Sequence, residues 1–207
     1  MKIIFFTLIL LLNAFNTVYA SDDGSGTYFG LAGGYTTYNA FFTHNQYYIQ
    51  DETTVSTTKS FHENSTGLKV YGGYQFNKIV AVEAAYVEYG KFTTTDYTQD
   101  PSSFSVYANL GYNFLNGQLR PFGMVGLGSL NNFQSRDLLQ QTMKTIHGGV
   151  GIEYSPTSLH GLGFRASVEW DAHADYQNVV DENNNQEDSV LFYQNYSLWS
   201  LAVQFKF

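Results

Sequence analysis

Apolar and polar residues alternate with period two along most of this chain, and a helical period does not recur. The C-terminal stretch shows it most clearly: Trp199, Leu201, Val203, Phe205 and Phe207 share one face, and Ser200, Ala202, Gln204 and Lys206 share the other. Taken alone, such a run fits a half-buried strand of any antiparallel sheet. It gains meaning by repetition. Leu68, Val70, Gly72, Tyr74 and Phe76 oppose Lys69, Tyr71, Gly73 and Gln75, and Val80, Val82, Ala84 and Tyr86 oppose Ala81, Glu83 and Ala85. Further on, Val106, Ala108, Leu110 and Tyr112 oppose Ser105, Tyr107, Asn109 and Gly111. Ile146, Val150, Ile152 and Tyr154 oppose His147, Gly149, Gly151 and Glu153, and Phe164, Ala166, Val168 and Trp170 oppose Arg165, Ser167, Glu169 and Asp171. A first strand is predicted over Thr27 to Tyr38, with Phe29, Leu31 and Tyr35 on its apolar face. Leu119 to Leu130 is β-like too, but its glycines leave its facing open.

These eight segments are each of roughly ten residues, the length a tilted strand needs to cross a hydrocarbon core. The spacers between them alternate in length. Long ones cover Asn39 to Asn64, Gly90 to Ser102, Asn131 to Gln141 and Ala172 to Ser189; short ones cover Asn77-Lys78, Leu115 to Gln118 and Ser155 to Gly161. Long outer loops alternating with short periplasmic turns are the habit of an up-and-down outer-membrane barrel, and a soluble sandwich has no reason to sort its loops by parity. The expected fold is therefore all-β, an eight-stranded antiparallel up-and-down transmembrane β-barrel with both termini at the short-turn end.

Aromatic placement changes the picture from a count to a geometry. Tyr74, Phe76, Tyr112, Phe114, Tyr154, Phe205 and Phe207 gather beside the short turns, while Tyr86, Phe104, Trp170, Tyr196 and Trp199 gather towards the long loops. Two belts are what amphipathic rings form where they meet headgroups. Composition agrees: 17 % aromatic, 14 % charged, rich in Gly and poor in Pro, which suits neither a disordered chain nor a helical one. With no cysteine, disulfides and thiolate metal sites are excluded. A net charge of −8 argues against nucleic acid as a partner.

The first residues read differently. Lys2, the apolar run Ile3 to Leu12 and the small-residue ending Val18-Tyr19-Ala20 form a secretory signal, residues 1–20, expected to be cleaved after Ala20. A single barrel domain is expected over residues 21–207.

At Tyr71-Gly-Gly-Tyr-Gln-Phe-Asn77 followed by Val82-Glu-Ala-Ala-Tyr86, the chain resembles the OmpA/OmpX-type family of eight-stranded outer-membrane barrels. The likeness continues through Ala108 to Tyr112, Arg120 to Gly123, Gly148 to Tyr154, Phe164-Arg165 with Glu169, and the terminal Phe207. It implies insertion into the outer membrane, with its lipid and lipopolysaccharide as surroundings. It also implies assembly by the barrel-assembly machinery, which reads a final strand ending in an aromatic residue; here the signal is Trp199, Leu201, Val203, Phe205 and Phe207. It further implies lumenal ion-pair positions at Glu83 and Arg165, whereas the family's fourth-strand Lys is Asn109 here. No peptidoglycan-binding domain is expected after the barrel, so the likeness is to the free-standing barrels.

Eight strands enclose a lumen that side chains can fill. Lys69, Glu83, Asn109, Glu153, Arg165 and Glu169 take the inward parity, and buried charges persist only when paired. A polar plug is the expected result, with Glu83 pairing with Arg165 or Lys69; a small pore is the alternative. Asp171-Ala-His173-Ala-Asp175 sets acids and an imidazole on one face near the outer rim, a weak match to a catalytic or metal-binding group. The other histidines lack ligand spacing, and no metal, cofactor or catalytic residue is assigned. The loop Asp171 to Asp188 carries six acidic residues and no basic ones. The first reading of function is a monomeric, non-enzymatic surface protein whose loops meet a host-surface or matrix protein in adhesion or colonisation. A structural or narrow-pore barrel comes second, and a lipid-modifying or proteolytic barrel third, because fold alone does not give function.

Overall fold

In the computed structural model, residues 24–48, 53–93, 98–134, 141–181 and 186–207 are described; the expected signal, residues 1–20, lies outside them. Nine strands follow in order: β1 (Gly26–Tyr48), β2 (Thr53–Gln75), β3 (Val80–Glu88), β4 (Phe92–Thr93), β5 (Thr98–Gly111), β6 (Leu119–Gln134), β7 (Gln141–Tyr154), β8 (Leu162–Asp181) and β9 (Gln186–Lys206). Neighbours pair antiparallel, β9 returns to β1, and β3 pairs β5, so the sheet closes into a ring of eight. Closure leaves no unpaired edge in the membrane, which lipid would not hydrate.

The two-residue β4 is a continuation of β3 past a bulge. Along β5 the register is Glu88↔Ser102 before the bulge and Phe92↔Gln99 after it, so one extra residue is accommodated. Gly90 makes this possible: its φ is +79° and a Cβ there would stand 2.2 Å from the Thr66 carbonyl oxygen. The bulge shifts parity, so that Tyr89 and Phe92, an odd and an even position, both enter the lumen.

The short turns follow local chemistry. Between β2 and β3 the Asn77 side chain accepts hydrogen bonds from the backbone N–H of Ile79 (2.8 Å) and Val80 (2.9 Å), the asparagine turn that lets two strands reverse in a few residues. In the open β6 segment the even positions face inward, Arg120, Phe122 and Met124 among them. Its facing was illegible because Gly126 sits there to admit a neighbour: a Cβ would lie 2.4 Å from Tyr107 Cβ.

The long spacers required correction. Asn39 to Asn64 is for the most part paired strand, with β1 and β2 in register from Asn39↔His62 to Tyr48↔Thr53. Of Ala172 to Ser189, the described residues 172–181 belong to β8 and 186–189 to β9, paired up to Asp181↔Gln186. Gly90 to Ser102 contains β4 and the start of β5, and Asn131 to Gln141 the end of β6. β1 stays paired with β9 as far as Tyr48↔Gln186, whereas β2 leaves β3 at Leu68↔Glu88 and β8 leaves β7 at Ile146↔Ala172. One wall of the ring, β2-β1-β9-β8, thus rises past the others as a four-stranded blade. From Thr37 to Tyr48 alone β1 spans roughly 36 Å at ~3.3 Å per residue.

Candidate functional site

The lumen is where the polar half of every alternating strand converges. Lys69 on β2, Glu83 on β3, Asn109 on β5, Glu153 on β7, and Arg165 and Glu169 on β8 are all buried there, in one hydrogen-bonded network. Glu83 is its centre. Its two oxygens accept from Arg165 Nη1 (2.8 Å) and Nη2 (2.9 Å), Tyr28 Oη (2.6 Å), Tyr107 Oη (2.9 Å) and Asn109 Nδ2 (2.5 Å). Arg165 also donates to Glu153, and its guanidinium lies 4.3 Å from the Tyr71 ring centroid. Lys69 donates to Glu169 (2.5 Å) and to Tyr107 Oη (3.0 Å). Five donors on one carboxylate replace the water that the lumen excludes, the condition under which buried charge is tolerated.

Sequence reading missed two parts of this network. Arg120, on the strand of open facing, pairs with Glu153 at 3.4 Å. Above the ionic layer, His147 Nδ1 stands 3.0 Å from Asp171 Oδ1, its ring stacked on Tyr107 with centroids 4.4 Å apart. Asp171 also accepts from Tyr89 Oη (2.5 Å) and Ser103 Oγ (2.6 Å). Asp171 is thus a lumenal residue rather than the start of an acidic loop. Its partner is His147, not the adjacent His173, whose Nδ1 lies 2.7 Å from the Lys144 carbonyl oxygen. The hydroxyls of Ser103 and Thr145 both donate to Asp171. Among the described residues no group of three or more His, Asp or Glu could hold a metal ion.

A plug of rings and leucines packs in the lumen towards the blade: Tyr38, Tyr89, Phe92 and Tyr196 with Leu130 and Leu198. Tyr196, expected in the outer belt, is 0 % exposed. It stacks on Tyr38 (centroids 4.7 Å apart), and its hydroxyl donates to Gln99 at 3.0 Å. Parity decides the matter, since Trp199 three residues on faces lipid and Tyr196 must therefore face in. On the lipid side Phe29, Leu31, Tyr35, Leu68, Val70, Val150, Leu201 and Val203 are exposed along the wall, the apolar band a barrel needs.

On the blade the two faces lose this division. Phe41 stacks on Tyr193 (5.0 Å) on one face, and Phe61 and Val55 are exposed on the other, among Ser and Thr residues of β2. Tyr176 on β8 is 61 % exposed.

With closure, lipid-facing band and polar lumen in place, the outer membrane protein beta-barrel domain matches residues 7–207. The chain belongs to that family. Membership and architecture place it in the outer membrane, its apolar wall against lipid. Among solved structures it is similar to the outer membrane protein OprG from Pseudomonas aeruginosa, at 16 % identity over 87 % of this chain and 96 % of that one, with a TM-score of 0.52. Neisserial surface protein A matches at 16 % identity, 85 % and 99 % coverage and a TM-score of 0.46. The attachment invasion locus protein Ail of Yersinia pestis, solved with the heparin analogue sucrose octasulfate, matches at 13 %, 84 % and 99 %, and 0.36. At these identities the likeness concerns fold alone. No curated protein sequence matches.

Proposed function

We propose that this barrel is a non-enzymatic surface protein whose blade makes contacts outside the cell, in adhesion or colonisation. The observation that carries this reading is the continuous pairing of β8, β9, β1 and β2 beyond the lipid-facing wall. It holds Phe41, Val55, Phe61 and Tyr176 in water on a fixed frame. Exposed rings among Ser and Thr suit protein recognition, because rings give contact area at little entropic cost and hydroxyls adapt. The acidic composition of the β8–β9 hairpin favours basic partner surfaces over polyanions. A pore reading finds less support, since the ionic layer and the ring plug fill the lumen. We propose further that Trp199, Leu201, Val203, Phe205 and Phe207 form the strand read by the assembly machinery and that the barrel works as a monomer. Removing Phe207 should then lower outer-membrane levels while the refolded barrel keeps its heat-modifiable gel mobility.

The blade reading is tested by trimming. Thr43 pairs with Thr58 and with Leu191, and Leu191 with Tyr176. Excising Thr43–Thr58 and Tyr176–Leu191, each replaced by a two-residue turn, therefore cuts both hairpins at one level. Attachment of cells to host or matrix surfaces is expected to fall with either cut. Unchanged attachment with both hairpins cut sinks the adhesive role.

A further inference from the structure

The barrel mouth opposite the blade opens into a cavity of about 670 Å³. Lys78, Arg120 and Lys206, three of the chain's ten basic residues, line it, and Glu153 is the carboxylate among its lining residues. In a chain of net charge −8 this is a local reversal of sign. Arg120 is the telling member. It is only 4 % exposed, yet its bonds are long: 3.4 Å to Glu153, 3.2 Å to the Ile79 carbonyl and 3.4 Å to the Asn109 carbonyl. Among the described residues its Nε has no hydrogen-bond partner. Glu153 is meanwhile engaged more closely by Arg165. A buried guanidinium ordinarily forms short, charge-assisted bonds to an anion, often two in parallel; Arg120 presents the fork but has a single long bond to the Glu153 carboxylate. Lys78 on the adjoining turn adds charge at the rim, and Lys206, bonded to Gln75 Oε1 at 2.9 Å, closes the other side. Tyr28, Tyr112 and Phe114 supply apolar surface beside them. A low-dielectric cleft whose lining carries an excess of one sign, here three cations against the Glu153 carboxylate, concentrates the opposite sign.

We infer that this mouth is a binding site for a phosphate-type anion, held by Arg120 with Lys78 and Lys206. A soluble phosphate ester and the headgroup of a phospholipid in the facing leaflet present the same chemistry. The test uses the full mature barrel, labelled with ¹⁵N in zwitterionic detergent micelles, with inorganic phosphate as the probe and the Arg120 Nε–H resonance as the readout. That resonance should move saturably, and the exposed-turn substitution Lys78→Gln, which leaves the lumenal network intact, should weaken binding about three- to tenfold. Asp22 and Asp23 precede Gly24 in the sequence, so the Asp22→Asn/Asp23→Asn variant is titrated alongside to remove any competing carboxylate. In phosphatidylglycerol nanodiscs, a shifted resonance before phosphate is added assigns the headgroup as ligand; a shift only on adding phosphate assigns a soluble anion. No saturable shift in any of these settings overturns the site, as does equal binding by Lys78→Gln.

Discussion

The strands β1, β2, β8 and β9 live in two media, and their two halves make an instructive comparison. Within the membrane, Phe29, Leu31 and Tyr35 of β1 point at lipid while Ala32 and Thr36 point into the lumen, and every neighbour repeats that division. Beyond it the same strand carries Phe41 on one face and Phe42 on the other, and polar residues likewise occupy both. Backbone pairing continues without interruption across the change. Hydrogen bonding therefore extends the strands, and the solvent writes the side-chain pattern onto them. The lower half is stabilised by what it encloses; from Phe41 to Asn45 and from Thr54 to Phe61 the blade's side chains are exposed or half-buried.

The sharpest way to break this contrast is to remove the enclosed charge. Glu83→Ala strips Arg165 of its bidentate partner and leaves Tyr28, Tyr107 and Asn109 donors unmet. It is expected to destabilise the barrel by about 4 kcal/mol, the cost of breaking a buried, hydrogen-bonded ion pair, with Glu153 left as the remaining carboxylate on Arg165. Urea unfolding followed by tryptophan fluorescence in micelles measures it, and a loss below about 1 kcal/mol would show that water enters and screens the lumen.

Two tyrosines on β9 come next. Tyr196 lies in the ring plug and Tyr193 on the blade, packed against Tyr38 and Phe41 respectively. Tyr196→Ala should cost about 3 kcal/mol, as large-to-small changes in a packed interior do, and Tyr193→Ala under about 1 kcal/mol. Equal costs would mean that the blade is as cooperative as the barrel.

These cases also show what the sequence could reveal. Inside the membrane each residue has two choices, lipid or lumen, so parity alone finds the faces of Glu83, Arg165 and Leu201. The strand Leu119 to Leu130 resisted because Gly126 faces the lumen to make room for Tyr107, and Arg120 was missed with it. His147 and Asp171 sit on inward parity, but their partnership crosses from β7 to β8 at a register, His147↔Asp171, that only the paired sheet specifies. The blade read as loop because water on both sides erases the alternation by which strands are recognised. Tyr196 was assigned by its neighbourhood in the chain when its parity pointed inward.

A smaller effect is expected at the bulge that ends the low wall. Gly90→Ala forces a Cβ onto a residue at φ +79° and against the Thr66 carbonyl. A cost of about 1 to 3 kcal/mol is expected from strain at such a site, read from the same urea curves. No loss would mean that the chain can flatten the bulge and withdraw Tyr89 from Asp171.

The smallest effect belongs to trimming the blade, and its smallness is the point. None of the described side chains between Thr43 and Thr58 is buried, so excising that stretch removes backbone pairs in water and almost no enclosed surface. Exposed strand pairs add little net stability, because each hydrogen bond made replaces two to water. The barrel below keeps Glu83, Arg165 and the ring plug, and opens as its own unit. Excision of Thr43–Thr58 with a two-residue turn in its place is therefore expected to shift the unfolding free energy by less than about 1 kcal/mol, with heat-modifiable mobility retained. A loss as large as that of Glu83→Ala would place the blade inside the cooperative unit. Its strands would then be structural walls rather than a display, and selection for stability alone would explain them.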